Sequence, residues 1–127
     1  MSEENKKKVL VVDDDENLRL ALTDKLGLEG FEVIEAKNGQ EGLEKALEIH
    51  PDIILLDVMM PVTNGLDMLK ELRTDDWGKK AEVIMLTVLE NAESVAEAIT
   101  DGSFTYLTKT DNNTEDIIEK VKEVIGK

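Results

Sequence analysis

The segment Val9-Leu10-Val11-Val12-Asp13-Asp14-Asp15-Glu16 sets four apolar side chains directly against four acids. A strand-length run of Val and Leu that is apolar at successive positions fits a strand covered on both faces, as in a parallel sheet between two helical layers. Acids placed straight after it gather charge at the strand's carboxyl end. The pattern recurs along the chain. Ile53-Ile54-Leu55-Leu56 runs into Asp57, and Val83-Ile84-Met85-Leu86 runs into Thr87. Two further runs, Phe31-Glu32-Val33-Ile34 and Phe104-Thr105-Tyr106-Leu107, alternate apolar with polar residues, so they are expected nearer the sheet edges.

Helical stripes separate the runs. Leu18, Leu22 and Leu26 recur every four residues beside Ala21, with Gly27 and Gly30 closing the segment. Leu43, Ala46, Leu47 and His50 form a second stripe ended by Pro51, and Leu66, Leu69 and Leu72 mark a third. Val95, Ala96 and Ile99 give a shorter fourth. Ile117, Ile118, Val121, Val124 and Ile125 give a fifth, entered through Asn112-Asn113-Thr114, which supplies N-cap side chains. Strands alternating with single helices predict an α/β fold, (βα)5, with a doubly wound parallel five-stranded sheet in the flavodoxin-like order 2-1-3-4-5. His50 is expected to cap or pack at its helix end, Trp77 to cover apolar surface after the third helix, and Met59, Met60, Met68 and Met85 to fill core.

The whole chain has 127 residues with 15 Lys+Arg against 29 Asp+Glu, a formal charge of −14, and no cysteine. That length suits one domain, residues 1–127, with a core from about 7 to 125, large enough to fold without disulfide or metal staples. The negative charge disfavours direct binding to nucleic acid or anionic lipid. Absence of cysteine excludes a disulfide framework and thiol chemistry. No apolar run reaches the length of a membrane span, and the apolar stretch at 9–12 is too short for a signal-peptide core, so a cytoplasmic location without membrane insertion is expected.

In an open α/β sheet the functional groove lies at the carboxyl ends of the strands, where the order reverses. Strands one and three are neighbours there, so Asp13, Asp14 and Asp57 are expected to meet, with Thr87 and Lys109 arriving from strands four and five. Converging carboxylates repel by roughly 1 kcal/mol per pair in water and about 4 kcal/mol at an effective dielectric of 20. A hard divalent cation relieves that. Oxygen donors with no His or Cys nearby select Mg²⁺ or Mn²⁺ over zinc. Asp57 is then placed to accept a phosphoryl group as an acyl phosphate, with Lys109 balancing charge and Thr87 donating a hydrogen bond to a phosphoryl oxygen.

The ordered set of Val-Leu-Val-Val-Asp-Asp-Asp-Glu (9 to 16), Asp-Ile-Ile-Leu-Leu-Asp-Val-Met-Met-Pro (52 to 61), Asn64-Gly65, Val-Ile-Met-Leu-Thr (83 to 87) and Tyr-Leu-Thr-Lys (106 to 109) resembles the response-regulator receiver domain of two-component signalling. The resemblance runs from Lys7 to the C-terminus. It implies that Asp57 is the phosphoacceptor, that Asp14 binds Mg²⁺ directly and Asp13 mainly through water, and that the Met59 carbonyl is a further ligand. It also implies that Thr87 and Tyr106 report phosphorylation to the outer surface while Lys109 contacts the phosphoryl group. The implied partners are a sensor histidine kinase or phosphotransfer protein and a downstream protein target, with a switched surface around the fourth and fifth strands and helices. Such a module is a signalling phosphoacceptor and not a turnover enzyme.

Two positions depart from the family pattern. Thr110 stands where proline, joined by a cis bond, usually follows the lysine; a cis Lys109-Thr110 bond costs roughly 2.5 to 4 kcal/mol, so either the loop over-determines it or the bond is trans. Val88 stands where the family usually has a small residue, and its bulkier β-branched side chain is expected to crowd the phosphoryl site. Met59 and Leu89, at positions that tune phosphoryl lifetime, offer no polar group to orient water, so a long-lived phosphoryl group is expected. The competing readings are an unphosphorylated pseudo-receiver, supported by Thr110 and Val88, and a Mg²⁺-dependent phosphatase, disfavoured because the chain leaves no room for a substrate-capping domain. The chain stops after the fifth helix, which fits either a stand-alone regulator or the receiver portion of something longer.

Overall fold

The computed structural model describes residues 6–57, 65–87, 105–108 and 113–125. Five strands, β1 (Lys8–Val12), β2 (Glu32–Ala36), β3 (Ile53–Asp57), β4 (Val83–Thr87) and β5 (Thr105–Thr108), form one sheet in the order β2-β1-β3-β4-β5. All four pairings are parallel. The two alternating runs occupy the two edges, as their half-polar pattern predicts. The helices are α1 (Glu16–Leu28), α2 (Gly39–Ile49), α3 (Gly65–Leu72) and α4 (Thr114–Ile125), the last being the fifth predicted stripe. The stripe at Val95, Ala96 and Ile99 lies outside the described residues.

Period-two geometry divides each central strand between two cores. Leu10 and Val12 of β1, Ile54 and Leu56 of β3, and Val83 and Met85 of β4 join Ala46, Met68, Leu69 and Leu72 from α2 and α3 on one face. Val9, Val11, Ile53, Leu55, Ile84 and Leu86 join Leu22 and Leu26 of α1 and Ile117, Ile118 and Val121 of α4 on the other. This double burial explains why the central strands read as unbroken apolar runs. Each fully buried aliphatic side chain contributes about 1.5–3 kcal/mol of hydrophobic driving force, before the conformational entropy it opposes.

Local signals set the helix ends. The Asp15 carboxylate accepts from the main-chain N–H groups of Asn17 and Leu18 and starts α1. The helix stops at Gly30, whose φ of 96° only glycine adopts at little cost; the Gly30 and Phe31 N–H groups return to the carbonyls of Gly27 and Leu26. Gly27, read from sequence as part of the stop, lies inside the last turn on an open surface. Asn113 caps α4 reciprocally: its Oδ1 accepts from the Asp116 N–H at 2.9 Å, and Asp116 Oδ2 accepts from the Asn113 N–H at 3.1 Å. Lys122 of α4 meets Glu29 after α1 at 2.5 Å, and that hydrogen-bonded carboxylate holds the ammonium above its ordinary value.

His50 closes α2 in the left-handed region at φ 56°, donating its N–H to the Ala46 carbonyl, and its ring stacks on Trp77 at 4.3 Å between centroids. Trp77 packs in turn against the α2 and α3 side of the core. Both residues therefore serve the cap and cover roles read from their positions. They sit ahead of β3 and β4, at the amino edge of the sheet. Met68 and Met85 are buried core, while Met59 and Met60 lie outside the described residues.

A candidate divalent-cation and phosphoacceptor site

Strand register builds the site. Val12 pairs with Leu56 across β1 and β3, so the residues that follow, Asp13 and Asp57, stand side by side at the carboxyl ends of the two strands. Asp57 is itself in register with Leu86, which puts the backbone of Thr87 one step beyond it on β4, paired with Thr108 on β5. Asp13 and Asp57 are buried, whereas Asp14 is exposed at the mouth. Carboxylate oxygens of Asp13, Asp14 and Asp57 lie within 4.8 Å of one another. An octahedral shell with donors at about 2.0–2.1 Å sets those donors roughly 3 to 4 Å apart, so small side-chain adjustments bring these oxygens into one shell. An all-oxygen donor set of this kind fits Mg²⁺ or Mn²⁺ and not a soft metal.

Asp13 is held at three of its own atoms. Its N–H donates to the Ala36 carbonyl of β2 at 3.1 Å, its carbonyl accepts from Arg19 Nη1 at 2.8 Å, and its Oδ1 accepts from the Asp15 N–H at 2.9 Å. Asp15, the extra acid of the run, is thus the helix cap that helps aim its neighbour. Arg19 also reaches Glu35 of β2, Nε to Oε1 at 3.0 Å, and Lys45 of α2 donates to the Glu35 carbonyl at 2.6 Å. The N-cap role of Asp15 emerges only from the structure. Arg19 and Glu35 likewise carried no signal in the sequence.

Of the other residues picked out from sequence, Tyr106 pairs in register with Met85 on the edge strand, and only its backbone placement is described. Met59, Val88, Leu89, Lys109 and Thr110 lie outside the described residues. The site floor has one further constraint. A Cβ on Gly42 of α2 would meet Val12 Cγ2 at 2.8 Å, Val12 Cγ1 at 2.9 Å and Met68 Sδ at 3.2 Å. Val12 is a stiff β-branched residue one position before Asp13, so Gly42→Ala is expected to cost about 1–3 kcal/mol, read as a lowered midpoint in chemical denaturation.

A parallel sheet in this order, with acids from two adjacent strand ends gathered at its switch point, defines a class of α/β domain that concentrates oxygen ligands in one groove. The particular family follows from comparison: the response regulator receiver domain model matches residues 9–122, and the chain belongs to that family. Chemotaxis protein CheY of Thermotoga maritima is 38% identical over 104 residues, covering 81% of this chain and 85% of that protein. The transcriptional regulatory protein ResD of Bacillus subtilis is 34% identical, over 98% of this chain and 50% of its own length. Several curated relatives are much longer: the chain spans only 22% of regulatory protein AtoC of Escherichia coli and 34% of a protein-glutamate methylesterase of Archaeoglobus fulgidus. Among solved structures, chemotaxis protein CheY4 of Vibrio cholerae superposes with a TM-score of 0.84 at 33% identity, covering 94% of this chain and 98% of that one. Response regulator TrrA of Thermotoga maritima, solved in complex with Mg²⁺-BeF, gives 0.78 at 34% identity, covering 93% and 98%.

Proposed function

We propose that this chain is the phosphoacceptor of a two-component relay, taking a phosphoryl group on Asp57 from a sensor histidine kinase or phosphotransfer protein in the cytoplasm. The observation that carries the reading is the convergence of Asp13, Asp14 and Asp57 at the carboxyl ends of β1 and β3. In the transfer, an Asp57 carboxylate oxygen forms a bond to phosphorus as the nitrogen–phosphorus bond of a phosphohistidine breaks, and the imidazole nitrogen keeps the electron pair. Asp13, Asp14, Asp57 and the Met59 carbonyl would hold Mg²⁺, or Mn²⁺ in its place. A bound divalent cation supplies neutralisation of phosphoryl oxygens that three carboxylates would otherwise repel. That the similar protein TrrA was solved in complex with Mg²⁺-BeF supports a divalent cation as the partner of this acidic set.

Lys109 and Thr87 are assigned the remaining phosphoryl contacts, and Tyr106 the relay to the surface of the fourth and fifth strands and helices. Adding about −1.5 to −2 charges at Asp57 draws the cationic and hydroxyl groups inward and biases that surface toward a downstream protein target. The chain itself acts as a signalling phosphoacceptor, without turnover of a separate substrate. No described helix is long and apolar enough to cross a membrane.

The test is intact-mass measurement after incubation with a small acyl phosphate and Mg²⁺. One phosphoryl adduct on the wild-type chain, absent from Asp57→Asn and absent when the cation is chelated, is the expected result. No adduct with any donor or cation overturns the proposal in favour of the pseudo-receiver that Thr110 and Val88 would suit. Repeated release of phosphate from unrelated esters overturns it in favour of a phosphatase.

A further inference from the structure

We propose that Arg19, held by Glu35, is a positioning residue that sets the cation affinity of the acidic site; this rests on the reading of Asp13, Asp14 and Asp57 as a divalent-cation site. Arg19 lies on the first turn of α1, and its side chain is only 15% exposed, unusual for an arginine in a chain with so large an acidic excess. Its guanidinium makes two directed contacts. Nη1 donates to the main-chain carbonyl of Asp13 at 2.8 Å, and Nε donates to Glu35 Oε1 at 3.0 Å. One planar group therefore ties together the start of α1, the end of β1 and the end of β2.

The contact falls on the Asp13 backbone, not on its carboxylate. That leaves the side-chain oxygens to the groove while fixing the peptide from which they project. The Asp13 N–H is fixed on the other side by the Ala36 carbonyl, a β2 residue next to Glu35, so both ends of the Asp13 residue refer to the same strand. Glu35 in turn orients the guanidinium, and Lys45 anchors the Glu35 carbonyl at 2.6 Å. A rigid planar fork suits this two-point bridge in a way that the single flexible ammonium of lysine does not.

Charge and position predict opposite outcomes, which makes the inference testable. If Arg19 acted only as a nearby positive charge, it would oppose cation binding, and Arg19→Met would bind Mg²⁺ more tightly. If it holds Asp13 in place, its loss lets a ligand wander, and groups that orient metal ligands typically contribute about 10- to 100-fold in affinity. Arg19→Met is therefore expected to weaken Mg²⁺ binding by about tenfold. Arg19→Lys, with the charge kept and the fork lost, falls between the two. Glu35→Gln weakens binding less than Arg19→Met does, and adds little once Arg19 is already Met, because Glu35 acts through Arg19.

The measurement is calorimetric titration of each full-length variant with Mg²⁺ alone, without phosphodonor, at a temperature where circular dichroism shows it folded. Arg19→Met binding as tightly as wild type, or more tightly, overturns the proposal. So does an Arg19→Met/Glu35→Gln effect equal to the product of the single effects. If Arg19→Met fails to fold, the Arg19→Lys and Glu35→Gln affinities decide it, and unchanged values in both sink it. Failure of wild-type protein itself to bind Mg²⁺, with the same result for Asp13→Asn, removes the cation site and this inference together. Wild-type binding that Asp13→Asn abolishes and Arg19→Met leaves intact removes this inference alone.

Discussion

Asp57→Asn is expected to lose phosphoryl uptake entirely and, in cation-free buffer, to unfold at a temperature about 5–10 °C above wild type. The two effects have one cause. Asp57 is buried beside Asp13 with Asp14 at the mouth, and their carboxylate oxygens come within 4.8 Å. At that range each pair of negative charges costs about 1 kcal/mol in water and about 4 kcal/mol at an effective dielectric of 20. Asparagine keeps the shape and a carbonyl acceptor while removing the charge, so two repulsive pairs vanish. Part of that gain is offset by hydrogen bonds made to a carboxylate and now made to an amide, leaving a net stabilisation of about 1–3 kcal/mol. Mg²⁺ then narrows or reverses that gap, because it stabilises wild type more than the mutant. At a hundredfold excess over its Kd it adds about 2.7 kcal/mol to whichever chain binds it, and wild type, with the full ligand set, binds it better. The expected ranking is mutant above wild type in chelator, with the gap closing or reversing as Mg²⁺ rises. Scanning calorimetry in both buffers checks this; a mutant that melts below wild type in chelator and responds equally to Mg²⁺ would exclude the electrostatic account of the site.

That the acidic residues would meet was legible because it depends only on strand order and strand ends. Runs of Val, Ile and Leu announce buried parallel strands, and an acid directly after each run inherits its position from the register, as Val12 opposite Leu56 illustrates. Edge and centre were legible for the same reason, since Glu32 and Thr105 interrupt the apolar pattern in the two runs that form the edge strands β2 and β5. What stayed hidden involves side chains meeting across sequence distance. Nothing in the spacing of Arg19, Asp13 and Glu35 reveals that a helix-borne guanidinium spans two strand ends, because that depends on how α1 lies over β1 and β2. The stacking of His50 on Trp77 is of the same kind: Pro51 announces the helix end, but no local rule brings a residue from beyond α3 onto it. Gly27 misleads in a simpler way. Glycine is a stop signal on average, yet at Gly27 the surroundings are open and the helix runs through, while the left-handed turn falls at Gly30.

The connection from α3 to β4 gives the second large effect, and it separates stability from the site. A Cβ on Gly78 would stand 1.9 Å from the Leu72 carbonyl oxygen and 2.9 Å from its carbon, inside the hard-core radius of backbone atoms. Relief would require moving either the end of α3 or the turn Gly78–Lys80, and both are pinned. The Gly78 N–H donates to Asp75 Oδ2 at 2.8 Å, and its carbonyl accepts from Arg73 Nη1 at 2.7 Å. The same Arg73 nitrogen also donates to the Ala81 carbonyl at 2.8 Å, so opening the turn breaks several bonds at once. Leu72 belongs to the core and Trp77 packs on it, which means displacement of this turn also uncovers apolar surface. Gly78→Ala is therefore expected to cost about 3 kcal/mol or more, lowering the unfolding temperature by roughly 10 °C or more. The turn sits at the amino edge of the sheet, ahead of β4, whereas the acids lie beyond the carboxyl ends of β1 and β3. Below its lowered transition, then, the variant should take up a phosphoryl group at Asp57 to the same extent and with the same Mg²⁺ dependence as wild type. Measuring the melting point and the adduct yield on one sample tests both halves. An unchanged melting point would mean the turn relaxes more cheaply than its hydrogen bonds imply, and a folded protein that no longer binds Mg²⁺ would mean the two ends of the sheet are mechanically coupled.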